Sequence, residues 1–163
     1  MCSSDLTATV VNPDLAESTA SGTTLTAVRL EGGTARITHV GDARVWLVRD
    51  GEVQQLTHDH TLVAALLESG RLTAEEARSH PHRSLLNRAL VPGTPVDEST
   101  FELRAGDRLV LTTDGVHAHL DDLERLLAEV GDAQELADRV ADAVTALGEP
   151  DNHTIAVVDV APA

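Results

Sequence analysis

The sequence predicts an α+β domain in which helices pack on an antiparallel sheet or sandwich, and three observations carry that prediction. Short β-rich runs separated by Gly and Asp turns fill the first third of the chain, further runs of that kind come late, and helical periodicity is confined to the stretches between them. The resulting order of strands, small helices, strands, a helix pair and a strand is not the alternation of a βαβ unit. The 163 residues suffice for one domain with a real core. Hydrophobic residues make up 42% of them, yet only Trp46 and Phe101 are aromatic, so that core is built from Leu, Val, Ile and Ala.

The elements follow in order. Thr24 to Leu30 is β-rich, Glu31-Gly32-Gly33 turns, and Thr34 to Val40 alternates before Gly41-Asp42. Ala43 to Arg49 runs to Asp50-Gly51, a hairpin dipeptide, and Glu52 to Leu56 returns, which reads as a meander of about four strands. Leu62, Ala65, Leu66 and Ser69 share a helical face ended by Gly70, and Thr73 with Glu76 three residues on has capping-box spacing. Leu90 to Glu98, with Pro92, Gly93 and Pro95, is loop. Ser99 to Leu103 and Arg108 to Thr113 are strands around Gly106-Asp107. Leu120 to Val130 and Asp132 to Leu147 read as a helix pair separated by Gly131. Their apolar face is Leu123, Leu126, Leu127, Leu136, Val140, Ala143, Val144 and Leu147. His153 to Val160 is the last strand.

Composition excludes several function classes. Acidic residues number 27 against 12 basic ones, and a net charge of -15 repels phosphate backbones and anionic surfaces, so no nucleic-acid partner is expected. All the basic residues are Arg, which rules out chemistry that needs a phosphate-loop or Schiff-base lysine. No run of about 18 apolar residues is present, so no membrane segment is expected in this chain. The single cysteine, Cys2, forms neither an internal disulfide nor a Cys-rich zinc site, and a cytoplasmic location is expected. Residues 1–6 lie outside every periodic pattern and have no targeting character. They are expected to be non-native, translated from a sequencing adapter, which leaves residues 7–163 as a partial domain; uninterrupted genomic sequence encoding the hexapeptide would overturn this.

The two Asp-Gly pairs read differently. A strand follows Asp50-Gly51, which makes it a hairpin turn, whereas a helical pattern follows Asp114-Gly115. A carboxylate at the end of an apolar strand, before a sharp turn, holds a hard-metal ligand on a rigid element. On local signals alone Asp114 as an N-cap or turn residue stays equally open. Asp151 stands just before the last strand, so if the two strands are antiparallel neighbours Asp114 and Asp151 meet at one sheet edge. Asp42 joins them if the meander packs alongside, and three carboxylates from three turns point to Mg²⁺ or Mn²⁺. The pairs His58/His60, His80/His82 and His117/His119 could bind zinc if a strand carried them, but they fall at helix edges and in loops, where solvated or capping histidines are expected. Arg44, Arg83 and Arg88 could pair carboxylates or contact phosphate, Arg44 beside Asp42 being the structural case.

Residues 21–158 resemble the metal-dependent PP2C (PPM) family of serine/threonine protein phosphatases in its bacterial form. The resemblance rests on Ser21-Gly22-Thr23-Thr24, His39-Val40-Gly41-Asp42-Ala43-Arg44, Leu56-Thr57-His58-Asp59-His60, Leu85-Leu86-Asn87-Arg88-Ala89-Leu90, Gly106-Asp107, Thr112-Thr113-Asp114-Gly115-Val116 and Asp151-Asn152-His153-Thr154, in the family's order. It implies an αββα sandwich of antiparallel sheets flanked by helices, with a pair of Mn²⁺ or Mg²⁺ ions at one edge. It further implies that Asp114, Asp151 and Asp42 hold metal, and that a flap at about 57–98 lies beside the site. The family's usual Asp four residues after Asp114 is Ala118 here, which removes a ligand of an additional ion.

The family's phosphate-binding Arg, its bridging Asp and its proton-donor His belong to motifs that precede the Ser-Gly-Thr-Thr stretch, and residues 1–20 contain none of them. The expectation is therefore a domain lacking its first strands and helix, with no catalytic residue of that kind in this chain and its activity impaired. The complete domain is expected to hydrolyse phosphoserine and phosphothreonine in phosphorylated protein substrates. The alternatives are a non-catalytic pseudophosphatase interaction module and, third, a zinc hydrolase built on the His pairs.

Overall fold

The computed structural model describes residues 22–148 and 150–161, so the expectation about residues 1–6 lies outside the described residues. Seven strands and five helices follow one another as β1 Leu25–Glu31, β2 Thr34–Val40, β3 Arg44–Arg49, β4 Glu52–Gln55, α1 Leu62–Glu68, α2 Ala74–Arg78, β5 Asp97–Glu102, β6 Arg108–Thr112, α3 Asp114–His117, α4 Leu123–Leu127, α5 Ala133–Ala146 and β7 Ile155–Asp159. All pairings are antiparallel, in a three-stranded sheet ordered β1-β2-β5 and a four-stranded sheet ordered β4-β3-β6-β7.

The expected meander is thus two hairpins in two sheets. Between β2 and β3 the chain crosses from one sheet to the other instead of doubling back. Gly41 makes the crossing: its φ is +117°, and a Cβ there would come within 2.4 Å of the Thr24 side chain. Thr24, from the Ser-Gly-Thr-Thr stretch, therefore packs directly on the crossover backbone.

Strand alternation sorts the core into two layers. Val45 and Leu47 of β3 and Leu109 of β6 face Ala35 and Ile37 of the other sheet, with Phe101, Leu103 and Leu111 at the margin. Trp46 and Val110, on the opposite faces of the same strands, meet Val116, Leu120, Leu123, Leu127, Leu136, Val140 and Val144 from the helices. Buried on both faces, β3 and β6 read as continuous apolar runs. The outward side of the three-stranded sheet carries Arg29, Arg36, Glu98, Thr100 and Glu102, all exposed.

The helices differ from the periodicity in two places. Leu120 to Val130 is not one helix: Leu120 closes α3 by donating to the Val116 carbonyl at 3.2 Å, and α4 begins only at Leu123. Leu147 is 54% exposed, because α5 ends at Ala146 and Leu147 becomes its cap. Both capping boxes are formed, Thr73 with Glu76 and Asp132 with Glu135, each satisfying amides that the first turn leaves free.

At the end of the four-stranded sheet away from the crossover, Asp107 is only 2% exposed and accepts from Arg49 Nε at 2.8 Å, from Arg49 Nη2 at 2.6 Å and from the Arg104 amide at 2.7 Å. The Arg49 guanidinium first, and the amide with it, hold its carboxyl below the usual range. Asp107→Ala strips three donors of their acceptor and should cost about 2–3 kcal/mol in chemical unfolding at pH 7. Because a depressed carboxylate contributes above its unfolded value of 3.8 and loses that contribution as pH falls through the folded one, the difference should close in acid.

Candidate metal centre

Register places three turns at one end of the four-stranded sheet. Arg44 at the start of β3 pairs with Thr112 at the end of β6, which pairs with Ile155 at the start of β7. The chain therefore enters β3 through Gly41-Asp42, leaves β6 through Thr113-Asp114 and enters β7 after Asp151-Asn152 at the same edge. Thr113 extends the β6–β7 contact past the ladder: its amide donates to the Thr154 carbonyl at 3.1 Å and its hydroxyl accepts from the Thr154 amide at 2.9 Å. Gly115 completes the junction, since a Cβ on it would lie 2.1 Å from the Asn152 carbonyl oxygen.

Asp42 and Asp114 line one cleft of about 630 Å³. Arg44, Asp59 and Trp46 line it with them, as do Arg78, Arg83 and Ser84 from α2 and the segment after it, and His117 and Leu120 from α3 and its end. Asp42 is half-buried, and its carboxyl is pushed above the usual range by burial first and by the charge of Asp114 second. Two carboxylates in that relation are a hard-oxygen donor set of the kind that Mg²⁺ or Mn²⁺ takes together with water and a substrate phosphate. Arg44 has the smallest effect among the groups acting on the Asp42 carboxyl, because Asp59 holds its guanidinium through Nε at 3.0 Å and Nη2 at 2.6 Å, 5.6 Å from the Trp46 ring centroid. The Arg44 reading as a structural partner stands, with Asp59 in place of Asp42.

Asp151 is not brought into this pair. It is exposed and does not line the cleft, and its Oδ1 accepts from the Asn152 amide at 2.7 Å within its own turn. Among the described residues no three His, Cys, Asp or Glu side chains come together closely enough to hold an ion. Asp42 and Asp114 thus share one cleft, and Asp151 stands at the same sheet edge outside its lining. Asp114 also has the turn role left open for it: it is the first residue of α3, and its Oδ1 accepts from the Gly115 amide at 2.9 Å.

The histidines depart most from expectation. His58 is exposed, but His60 is 2% exposed, accepting from the Gly41 amide at Nδ1 (3.0 Å) and meeting Asp97 Oδ2 at Nε2 (2.9 Å). His39, also buried, lies 4.9 Å from it ring to ring and bonds the Thr26 hydroxyl and the His58 carbonyl. Burial lowers the pKa of His39. These two rings brace the crossover that carries Asp42. His117 is also sequestered, pushed down to about 3 by burial and then by Arg44. The residues missed by sequence reasoning are therefore Asp59, His39 and Asp97; the first two sit inside motifs that were quoted, whereas Asp97 lies where a loop was expected.

The raised Asp42 carboxyl yields a test. A group whose folded pKa is raised contributes stability below its unfolded value, here 3.8, and loses it as pH rises through the folded one, so ionised Asp42 opposes folding at pH 7. Asp42→Asn should raise the metal-free melting temperature by about 2–4 °C at pH 7 and leave it unchanged near pH 3. An equal shift at both pH values would count against charge as the cause.

A sequence model of the family described as Protein phosphatase 2C matches residues 11–149. The serine/threonine protein phosphatase PstP of Mycobacterium tuberculosis is 44% identical over 142 residues, 85% of this chain and 27% of that protein. The crystal structure of the M. tuberculosis phosphatase PstP/Ppp superposes with a TM-score of 0.82 at 40% identity, over 86% of this chain and 61% of that one. The catalytic domain of PstP in complex with two manganese ions does so with a TM-score of 0.78 at 38% identity, over 86% and 60%. The chain thus spans roughly a quarter of the mycobacterial relative's length and less than two thirds of the crystallised chains.

Proposed function

From the premise that the chain belongs to the protein phosphatase 2C family, we propose that it serves metal-dependent hydrolysis of phosphoserine and phosphothreonine in phosphorylated proteins. The observation that carries the reading is the juxtaposition of Asp42 and Asp114 in one cleft. A pair of Mn²⁺ or Mg²⁺ ions, when bound, supplies Lewis acidity and a water of lowered pKa. Asp42 and Asp114 would hold that pair, with Asp151 reaching in from the adjoining turn. Asp59 keeps Arg44 in one orientation in the cleft, and the segment at 57–98, carrying α1 and α2, forms the wall that limits how a substrate protein approaches. The setting of the proposed reaction is the cytoplasm; separately, no helix among the described residues is long and apolar enough to cross a membrane.

A second reading, a non-catalytic interaction module, is favoured by Ala118 in place of the family's Asp and by the position of Asp151 outside the cleft lining. Release of inorganic phosphate from a phosphothreonine peptide separates the two. Turnover that requires Mn²⁺ and vanishes in chelator supports hydrolysis. Peptide binding with no phosphate released at any Mn²⁺ concentration sinks it in favour of the module.

A further inference from the structure

His117 is partly buried in the cleft that Asp42 and Asp114 also line, and the proposed reaction does not use it. Its environment determines where its ring proton sits. Trp46 Nε1, which can only donate, gives its hydrogen to Thr112 Oγ1 at 3.0 Å. The Thr112 hydroxyl lies 3.2 Å from His117 Nδ1, and no other acceptor for its hydrogen is found among the described residues. With its one hydrogen directed to Nδ1, the Thr112 hydroxyl serves both neighbours, and that arrangement places the ring proton on Nε2.

Nε2 points the other way. It has no hydrogen-bond partner among the described residues, and it is not enclosed, since Arg139 Nε is the one buried side-chain nitrogen or oxygen there that lacks a partner. His117 lines the cleft together with Asp42, Arg44, Asp59 and Asp114. On that tautomer the Nε2–H belongs to a ring lining a cleft shared with Asp42, Asp59, Asp114, Asp121, Asp122 and Glu124, and it is a donor without an assigned acceptor. Burial and Arg44 keep the ring neutral at physiological pH, so this donor does not come and go with pH there.

We propose that His117 Nε2–H is a substrate-binding donor that accepts nothing and hydrogen-bonds a phosphoryl oxygen of the phosphate held at the Asp42–Asp114 end of the cleft, its tautomer set by Trp46 through Thr112. The proposal rests on the phosphatase reading, because that reading supplies the phosphate. No covalent or redox step is involved. Thr112 and Trp46 are positioning residues, acting only through the ring.

The test uses the whole chain labelled with ¹⁵N in its histidine rings, Mg²⁺ and inorganic phosphate. At pH 7 the His117 ring should show a single tautomer with the proton on Nε2, and phosphate added in Mg²⁺ should move the Nε2–H resonance while leaving His119 in place. Thr112→Val should release the tautomer. His117→Phe keeps a ring without a donor and should weaken phosphate binding about tenfold, as expected for a hydrogen bond to a charged group. His117→Gln offers an amide N–H at similar reach and should stay within about threefold of the parent. A proton on Nδ1, or equal phosphate affinity in the parent and His117→Phe, overturns the proposal and leaves the phosphatase reading intact. Failure of the parent chain to bind phosphate in Mg²⁺ overturns that reading and the proposal with it. Should His117→Phe not fold, the tautomer and the phosphate-induced shift of the parent ring decide.

Discussion

Replacing Gly115 by Ala should lower stability by about 3 kcal/mol and remove the response to Mn²⁺ at the same time. The added Cβ would stand 2.1 Å from the Asn152 carbonyl oxygen, a backbone atom that no rotamer change can move aside. Relief requires the α3 turn and the turn before β7 to separate, against the two Thr113–Thr154 hydrogen bonds that join them. Overpacking of this kind costs about 1–3 kcal/mol and more where backbone must shift, which corresponds to a melting temperature lower by about 6–12 °C. Asp114 precedes the altered residue, so its carboxylate should be displaced relative to Asp42. A variant that melts like the parent and keeps its full Mn²⁺ shift would show that the close approach is not a constraint.

Asp114→Asn separates the metal from the fold. Its side chain is close to isosteric, and the Oδ1 contact to the Gly115 amide can be kept by the amide oxygen, so the metal-free protein should keep its fold and gain a little stability at pH 7 as the repulsion on Asp42 is relieved. With Mn²⁺ at about 100 times its dissociation constant, the parent should gain about 2.7 kcal/mol, or about 5–10 °C. The variant should gain almost none of it, and any Mn²⁺-dependent phosphate release should fall by about 100-fold or more. Asp151→Asn is the informative comparison, because Asp151 stands outside the cleft. Loss of the Mn²⁺ shift there would mean that the Asp151 turn swings in when metal binds, and a full shift would remove it from the ligand set.

What could be read in advance was what short-range chemistry decides. The apolar runs of β3 and β6, the hairpin at Asp50-Gly51 and the cap at Thr73 are each governed by residues within a few positions of one another. The assignment of β2 and β3 to different sheets is not, because a three-residue connection serves a hairpin as well as a crossover, and the choice is made by distant partners: β5 takes β2 and β6 takes β3. The same limit hid His60. In an irregular segment no periodicity marks an inward face, and its burial depends on the Gly41 amide and Asp97, both far away in the chain. Asp114 and Asp42 were legible through their turns, and the β6–β7 pairing brought Asp151 to the expected edge. The direction of its carboxylate was settled by one local amide that the strand order does not reveal.

The crossover at Gly41 has a consequence for how the molecule is made. Ile37 pairs with Ser99 and Trp46 with Val110, so neither sheet can be completed until the chain has closed a long loop, and the two loops overlap in sequence. Folding should accordingly be slow, on the order of milliseconds to seconds, with little gained from local helix formation. Asp42 and Asp114 come together only when β3 meets β6. A divalent ion therefore has nothing to organise before that step, and its effect should fall on the unfolding limb of a chevron plot while the refolding limb stays where it is.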